Sequence, residues 1–162
     1  MKSILKSAFL GLALAAFAAA TTTVSAQSTD AMGLGNWKLN VEKSKYSPGP
    51  APKSSTIKFE AVGKGVKVTG EGVGADGKPF ATEYTANYDG KDVPYKGSPV
   101  VDTVSLRRID ANTTERTDKK DGKVMWTIKR VVAKDGKTFT ATVKGTNAKG
   151  EPVNNVLIWE KL

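Results

Sequence analysis

Residues 135–146 read Asp135-Gly136-Lys137-Thr138-Phe139-Thr140-Ala141-Thr142-Val143-Lys144-Gly145-Thr146. The Asp-Gly pair supplies the positive backbone angles of a tight hairpin turn. After it, Phe139, Ala141 and Val143 alternate with Thr138, Thr140, Thr142 and Lys144. A period of two puts the apolar side chains on one face and the polar ones on the other, which describes a half-buried strand. The same rhythm runs through Trp37, Leu39 and Val41, through Ile57, Phe59 and Ala61, and through Val66 and Val68. It returns in Phe80, Tyr84, Ala86 and Tyr88, in Val104 and Leu106, and in Trp126 and Ile128. One wet face implies antiparallel pairing, because parallel sheets are covered on both sides.

The corners agree with the strands. Asp-Gly-Lys occurs at Asp76-Gly77-Lys78, Asp89-Gly90-Lys91, Asp121-Gly122-Lys123 and Asp135-Gly136-Lys137, each time between two alternating runs. Single aspartates at irregular spacing, with no carboxylate to follow, cannot build a calcium loop, so these are hairpin corners. Further turns are expected at residues 63–65, 111–112 and 147–150. Gly70, Gly72 and Gly74 lie on one strand with no helix after them; they predict a bend or bulge rather than a phosphate loop. The stretch from Ser47 to Lys53 holds Pro48, Pro50 and Pro52 and reads as an extended connection. No helical stripe of useful length appears from Gln27 onward. Consecutive hairpins predict an all-β, antiparallel up-and-down meander of about 8–10 strands. Closure into a barrel removes the two edges that an open meander would expose. The alternative, a β-sandwich, needs long crossovers that the spacing does not provide.

The first residues differ from the rest. Lys2 and Lys6 precede an apolar run from Ala8 to Ala20, and Val24-Ser25-Ala26 offers small residues at the −3 and −1 positions of a cleavage site. Residues 1–26 therefore read as a signal peptide. The run is too short and too rich in alanine to anchor well in a hydrocarbon layer of about 30 Å. Residues 27–34 form a flexible tail and residues 35–162 a single barrel domain, so the expected location is periplasmic or secreted.

Composition narrows the chemistry. The chain has no Cys and no His. Disulfides, thiolate catalysis, cysteine or histidine zinc sites and Ser-His-Asp arrangements are excluded. The stability of the domain must come from its core, which at this size is sufficient without staples. Lys and Arg number 25 against 16 Asp and Glu, a net charge of +9. The lysines are scattered, as on a solvated surface with protected strand edges. The alternative is attraction to anionic components of the cell envelope. No recognition element for nucleic acid is visible.

From Gly35 to Lys161 the chain resembles the calycins, the superfamily of lipocalins and fatty-acid-binding proteins. Gly35-Asn36-Trp37-Lys38-Leu39 is similar to the Gly-x-Trp that opens their first strand, and the segment from Asp135 to Lys161 is similar to their last two strands. The resemblance implies a closed antiparallel barrel around a cavity for a small hydrophobic molecule. It departs from the fatty-acid-binding branch in two places. Val41 to Lys53 is too short for the two lid helices, and Leu157-Ile158-Trp159 stands where an Arg-x-Tyr anchor is expected. A second basic anchor of that branch falls near Lys129 or Arg130.

Candidate cavity residues follow from strand parity: Phe80, Tyr84, Tyr88, Leu106, Trp126, Ile128, Arg130, Leu157 and Trp159. Gly35 and Trp37 are structural, with Trp37 plugging one end of the barrel. Arg130 shares parity with Trp126 and Ile128. Pointing inward, it would be a buried cation in need of a carboxylate; if the strand ends before it, the side chain is solvated, and the rarity of buried charge favours the second reading. The polar run Thr113 to Lys120, with Glu115 and Asp118, reads as an exposed edge or flap. No carboxylate pair, catalytic residue, metal site or cofactor motif is identified, so the expected activity is binding rather than catalysis. The expected partner is a small hydrophobic or amphiphilic molecule. The other candidate is an anionic envelope surface.

Overall fold

A computed structural model describes residues 33–162, all of them in strands and their connections. The expected signal peptide and residues 27–32 of the expected tail lie outside the described residues. Ten strands follow in chain order: β1 (Gly35–Lys45), β2 (Ser54–Val62), β3 (Gly65–Val73), β4 (Pro79–Asn87) and β5 (Val93–Pro94), then β6 (Thr103–Arg108), β7 (Thr113–Lys120), β8 (Lys123–Val132), β9 (Thr138–Thr146) and β10 (Pro152–Lys161).

The strands form one antiparallel sheet in the order β4-β3-β2-β1-β10-β9-β8-β7-β6-β5. Each hairpin pairs with itself, and β1 meets β10, with Trp37 opposite Lys161 and Leu39 opposite Trp159. The two ends of that order, β4 and β5, come together at Glu83 and Lys96, while Asp89 bridges Arg107. The sheet is thereby rolled into a nearly closed up-and-down barrel, and the sandwich alternative is excluded.

The corners are those of hairpins, with one exception. At the β7–β8 turn Asp121 and Gly122 both take left-handed angles (φ 49° and 76°), the geometry that matches the twist of two paired strands. Asp89-Gly90-Lys91 differs from expectation. It leads from β4 into a strap along residues 89–94, because β4 and β5 are not joined by a ladder. Of the bend or bulge expected on β3, the bulge is absent, since β3 pairs with β2 and β4 in unbroken register through Gly70 and Gly72. Gly72 is required by close approach instead. A Cβ there would collide with the Ser54 carbonyl and lie 2.9 Å from Phe80 Cζ. The register shifts occur in β1, between Asn40 and Lys45, and in the β7–β8 pairing after Asp118.

The inward faces of these strands form one core of Trp37, Leu39, Phe59, Val66, Val68, Val104, Phe139 and their neighbours. Trp37 is fully buried. Its ring meets Phe139 edge-on at 4.8 Å, and its Nε1 donates to the Gly33 carbonyl at 3.1 Å. Gly33 is buried and Leu34 packs on the core. These two residues, expected in the loose tail, belong to the packed domain.

Candidate functional site

The barrel does not fill its interior. A cavity of about 210 Å³ remains, and its wall draws on every strand but β1 and the two-residue β5. Eight of the nine residues picked by parity line it: Phe80, Tyr84, Tyr88, Leu106, Ile128, Arg130, Leu157 and Trp159. Trp126 does not. Its Nε1 donates to Asp118 Oδ2 at 2.6 Å, so the indole braces the wall.

Most of the polar chemistry comes from β7. The run Thr113–Lys120 is not an exposed flap: β7 lies between β6 and β8 and is paired to both. Its alternation places Thr114, Arg116 and Asp118 inward, while Glu115 sits opposite Arg107 and Lys129 on the outward register. Asp118 is 1% exposed. Its Oδ2 accepts from Arg116 Nη2 at 2.7 Å as well as from the indole of Trp126. Desolvation, the largest single influence, would lower the Arg116 pKa, but Asp118, Tyr84 and Tyr95 together outweigh it and the pKa is raised. The guanidinium is therefore charged at every working pH. It lies 5.5 Å from the ring centroids of both Tyr84 and Tyr95. Burial pushes the Tyr84 hydroxyl above its ordinary pKa, although Arg116 opposes the shift.

Arg130 is inward and 8% exposed, contrary to the expectation that it would be solvated. β8 continues to Val132, so the strand does not end before it. Its Nε donates to Thr114 Oγ1 at 3.2 Å, and its guanidinium sits 4.3 Å above the Phe59 ring. Aromatic faces thus offset part of the cost of burying the charge. Arg116 is the cation paired with Asp118.

Around these groups the wall is apolar: Ile57, Val66, Leu106, Ala141, Val143 and Leu157. Phe139 and Trp159 stack at 5.5 Å with an interplanar angle of 16°, while Tyr84 and Tyr95 meet at 5.6 Å. Among the described residues no cluster of three or more acidic side chains could hold a metal ion. An apolar chamber with two guanidinium groups on neighbouring strands can hold a small molecule by burial and direct its polar end.

The chain matches no protein-family model and no curated protein. Among solved structures, a redesigned beta barrel aligns over 83% of this chain and 96% of its own length, with a TM-score of 0.51 at 12% identity. That likeness shows the barrel fold.

Proposed function

We propose that this protein is an exported binding barrel, related in kind to the calycins, that carries a small hydrophobic or amphiphilic molecule in its interior. The observation that carries this reading is the cavity of about 210 Å³ whose apolar wall includes the inward arginines Arg116 and Arg130. A protein that needed only a stable core would fill this space with side chains, since interiors are otherwise close-packed and a void forfeits contacts. Buried guanidinium groups cost free energy that a purely structural core avoids. With Asp118 paired to Arg116, the interior favours a ligand whose polar end accepts hydrogen bonds. The leader read at residues 1–26 supports a periplasmic or secreted location. The outward positions Lys58, Glu60, Lys67, Thr69, Glu71 and Glu83 are polar, the reverse of a wall that faces lipid.

Native mass spectrometry of the protein purified from its host without denaturation tests the reading. A bound small molecule released on unfolding is the expected result; retention of nothing, together with no uptake of any hydrophobic dye, would sink it. The envelope-binding alternative finds less support, because several lysines already face local carboxylates: Lys43 with Glu160, Lys67 with Glu83 and Lys119 with Asp92.

A further inference from the structure

The strand order gives the cavity four distinct walls. In a ring of ten strands with β4 beside β5, the pair β9 and β10 lies halfway round from the pair β4 and β5. The stacked rings of Phe139 and Trp159, on β9 and β10, therefore stand opposite Tyr84 on β4 and Tyr95 just after β5. The remaining two walls are also opposed. Thr114 and Arg116 on β7 and Arg130 on β8 make a polar side. Across from their backbones, β2 and β3 offer Ile57, Val66 and Gly70, and Phe59, whose ring the Arg130 guanidinium reaches. The chamber is a slot between two aromatic pairs, with an apolar β2–β3 side and guanidinium donors that reach from β7 and β8 over Tyr84, Tyr95 and Phe59.

From this arrangement, which rests on the carrier reading above, we infer that the ligand is a compact planar aromatic molecule, one substituted ring or two fused rings, with an oxygen acceptor on one edge. The size agrees. A cavity of about 150 Å³ accepts benzene, so a chamber of about 210 Å³ suits roughly eight to eleven heavy atoms. A long acyl chain would leave part of its length in water and lose the area-proportional gain of burial. Flat rings gain offset or edge contacts with aromatic side chains beyond their buried area, and a saturated ring of equal bulk does not. The acceptor belongs beside the arginines, where guanidinium N–H groups make the stronger, charge-assisted hydrogen bonds.

Three probes test this by calorimetry on the mature protein: 2-naphthol, its saturated analogue decahydro-2-naphthol, and dodecanoate. The expected order is 2-naphthol tightest, with each of the others at least tenfold weaker. Tyr95→Leu is expected to weaken 2-naphthol several-fold while leaving decahydro-2-naphthol within twofold, and Tyr95→Phe to preserve both. Equal or tighter binding of the saturated analogue or of dodecanoate would overturn the planar slot while leaving the carrier reading intact. If none of the three binds, the planar slot falls, and the carrier reading is decided by the retained-ligand experiment above.

Discussion

Glu83 and Lys96 exchange both backbone hydrogen bonds, Glu83 N–H to the Lys96 carbonyl at 3.1 Å and Lys96 N–H to the Glu83 carbonyl at 2.9 Å. The next such contact along the seam between β4 and the β5–β6 hairpin is the Asp89–Arg107 bridge, where Gly90 N–H reaches the Leu106 carbonyl at 2.8 Å. Every other strand boundary is a ladder, so this seam is the weakest line in the wall. Tyr84 and Tyr95, immediate neighbours of the clasp, also line the cavity. Wall integrity and access to the interior are coupled at this point.

A covalent clasp is expected to stabilise the barrel. Residues that exchange both backbone bonds in an antiparallel pair stand about 5.5 Å apart at Cα, within the range a disulfide spans. The side chains of Glu83 and Lys96 lie outside the cavity, so a Glu83→Cys, Lys96→Cys pair would not intrude on it. Closing a loop of this length is expected to add about 2–3 kcal/mol. Urea unfolding of oxidised against reduced protein measures it. An oxidised form no more stable than the reduced one would show that the seam geometry does not accept the cross-link without strain.

Removal of Asp118 should cost far more than removal of a surface carboxylate. The Asp118→Ala variant leaves the buried Arg116 guanidinium uncompensated and takes away the acceptor of the Trp126 indole, with an expected loss of about 3–5 kcal/mol. The double variant Asp118→Ala, Arg116→Met replaces both charges with apolar groups and should recover a large share of that loss. Equilibrium denaturation of the two variants checks the order. A double variant less stable than the single one would mean that Arg116 earns its place by packing on Tyr84 and Tyr95.

Two glycines of β3 should respond differently to the same methyl group. At Gly72 a Cβ would strike the Ser54 carbonyl and crowd Phe80, and backbone cannot yield as a side chain can. Gly72→Ala is expected to destabilise by about 1–3 kcal/mol. At Gly70 the near neighbour is the Thr82 hydroxyl at 2.9 Å, which can rotate away. Gly70→Ala should be mild in stability yet reduce binding, because its methyl enters the cavity. Thermal melts and probe titrations of the two variants separate the effects; equal melting temperatures would refute the distinction.

The barrel was legible because alternation and Asp-Gly corners are local. Phe139, Ala141 and Val143 announce both their strand and their inward face, and Phe80, Tyr84 and Tyr88 reach the cavity by the same logic. β7 was hidden for a physical reason. Its inward residues Thr114, Arg116 and Asp118 are as polar as its outward ones, so hydrophobic alternation carries no signal there. Burial of that set is made tolerable only by partners on other strands: Trp126 on β8, Tyr84 on β4, and Tyr95 beside the seam. Arg130 misled in the same way, since the aromatic shelf of Phe59 that accommodates it lies 71 positions earlier in the chain. The strap at Asp89-Gly90-Lys91 looked like a hairpin corner because nothing local distinguishes a turn that pairs its flanks from one that does not.

Stability should decline at both ends of the pH scale for different reasons. Glu160 is held below the ordinary carboxylate range by hydrogen bonds from Lys43 and Asn40, and Asp102 by the Asp121 backbone N–H. A carboxylate with a depressed folded pKa contributes stability that is present above its unfolded pKa and lost as pH falls through the folded value. The melting temperature is therefore expected to hold from neutrality to about pH 5 and to fall below about pH 4. On the alkaline side Tyr84 acts in the opposite sense. Burial raises its pKa above the ordinary 10.0, so its contribution is complete below that value and is lost as the unfolded chain begins to ionise above it. Tyr84→Phe should flatten the alkaline decline, and absorbance near 295 nm should show Tyr84 ionising only with unfolding. Ionisation of all tyrosines near pH 10 in protein that remains folded would mean that the Tyr84 hydroxyl reaches solvent through the seam.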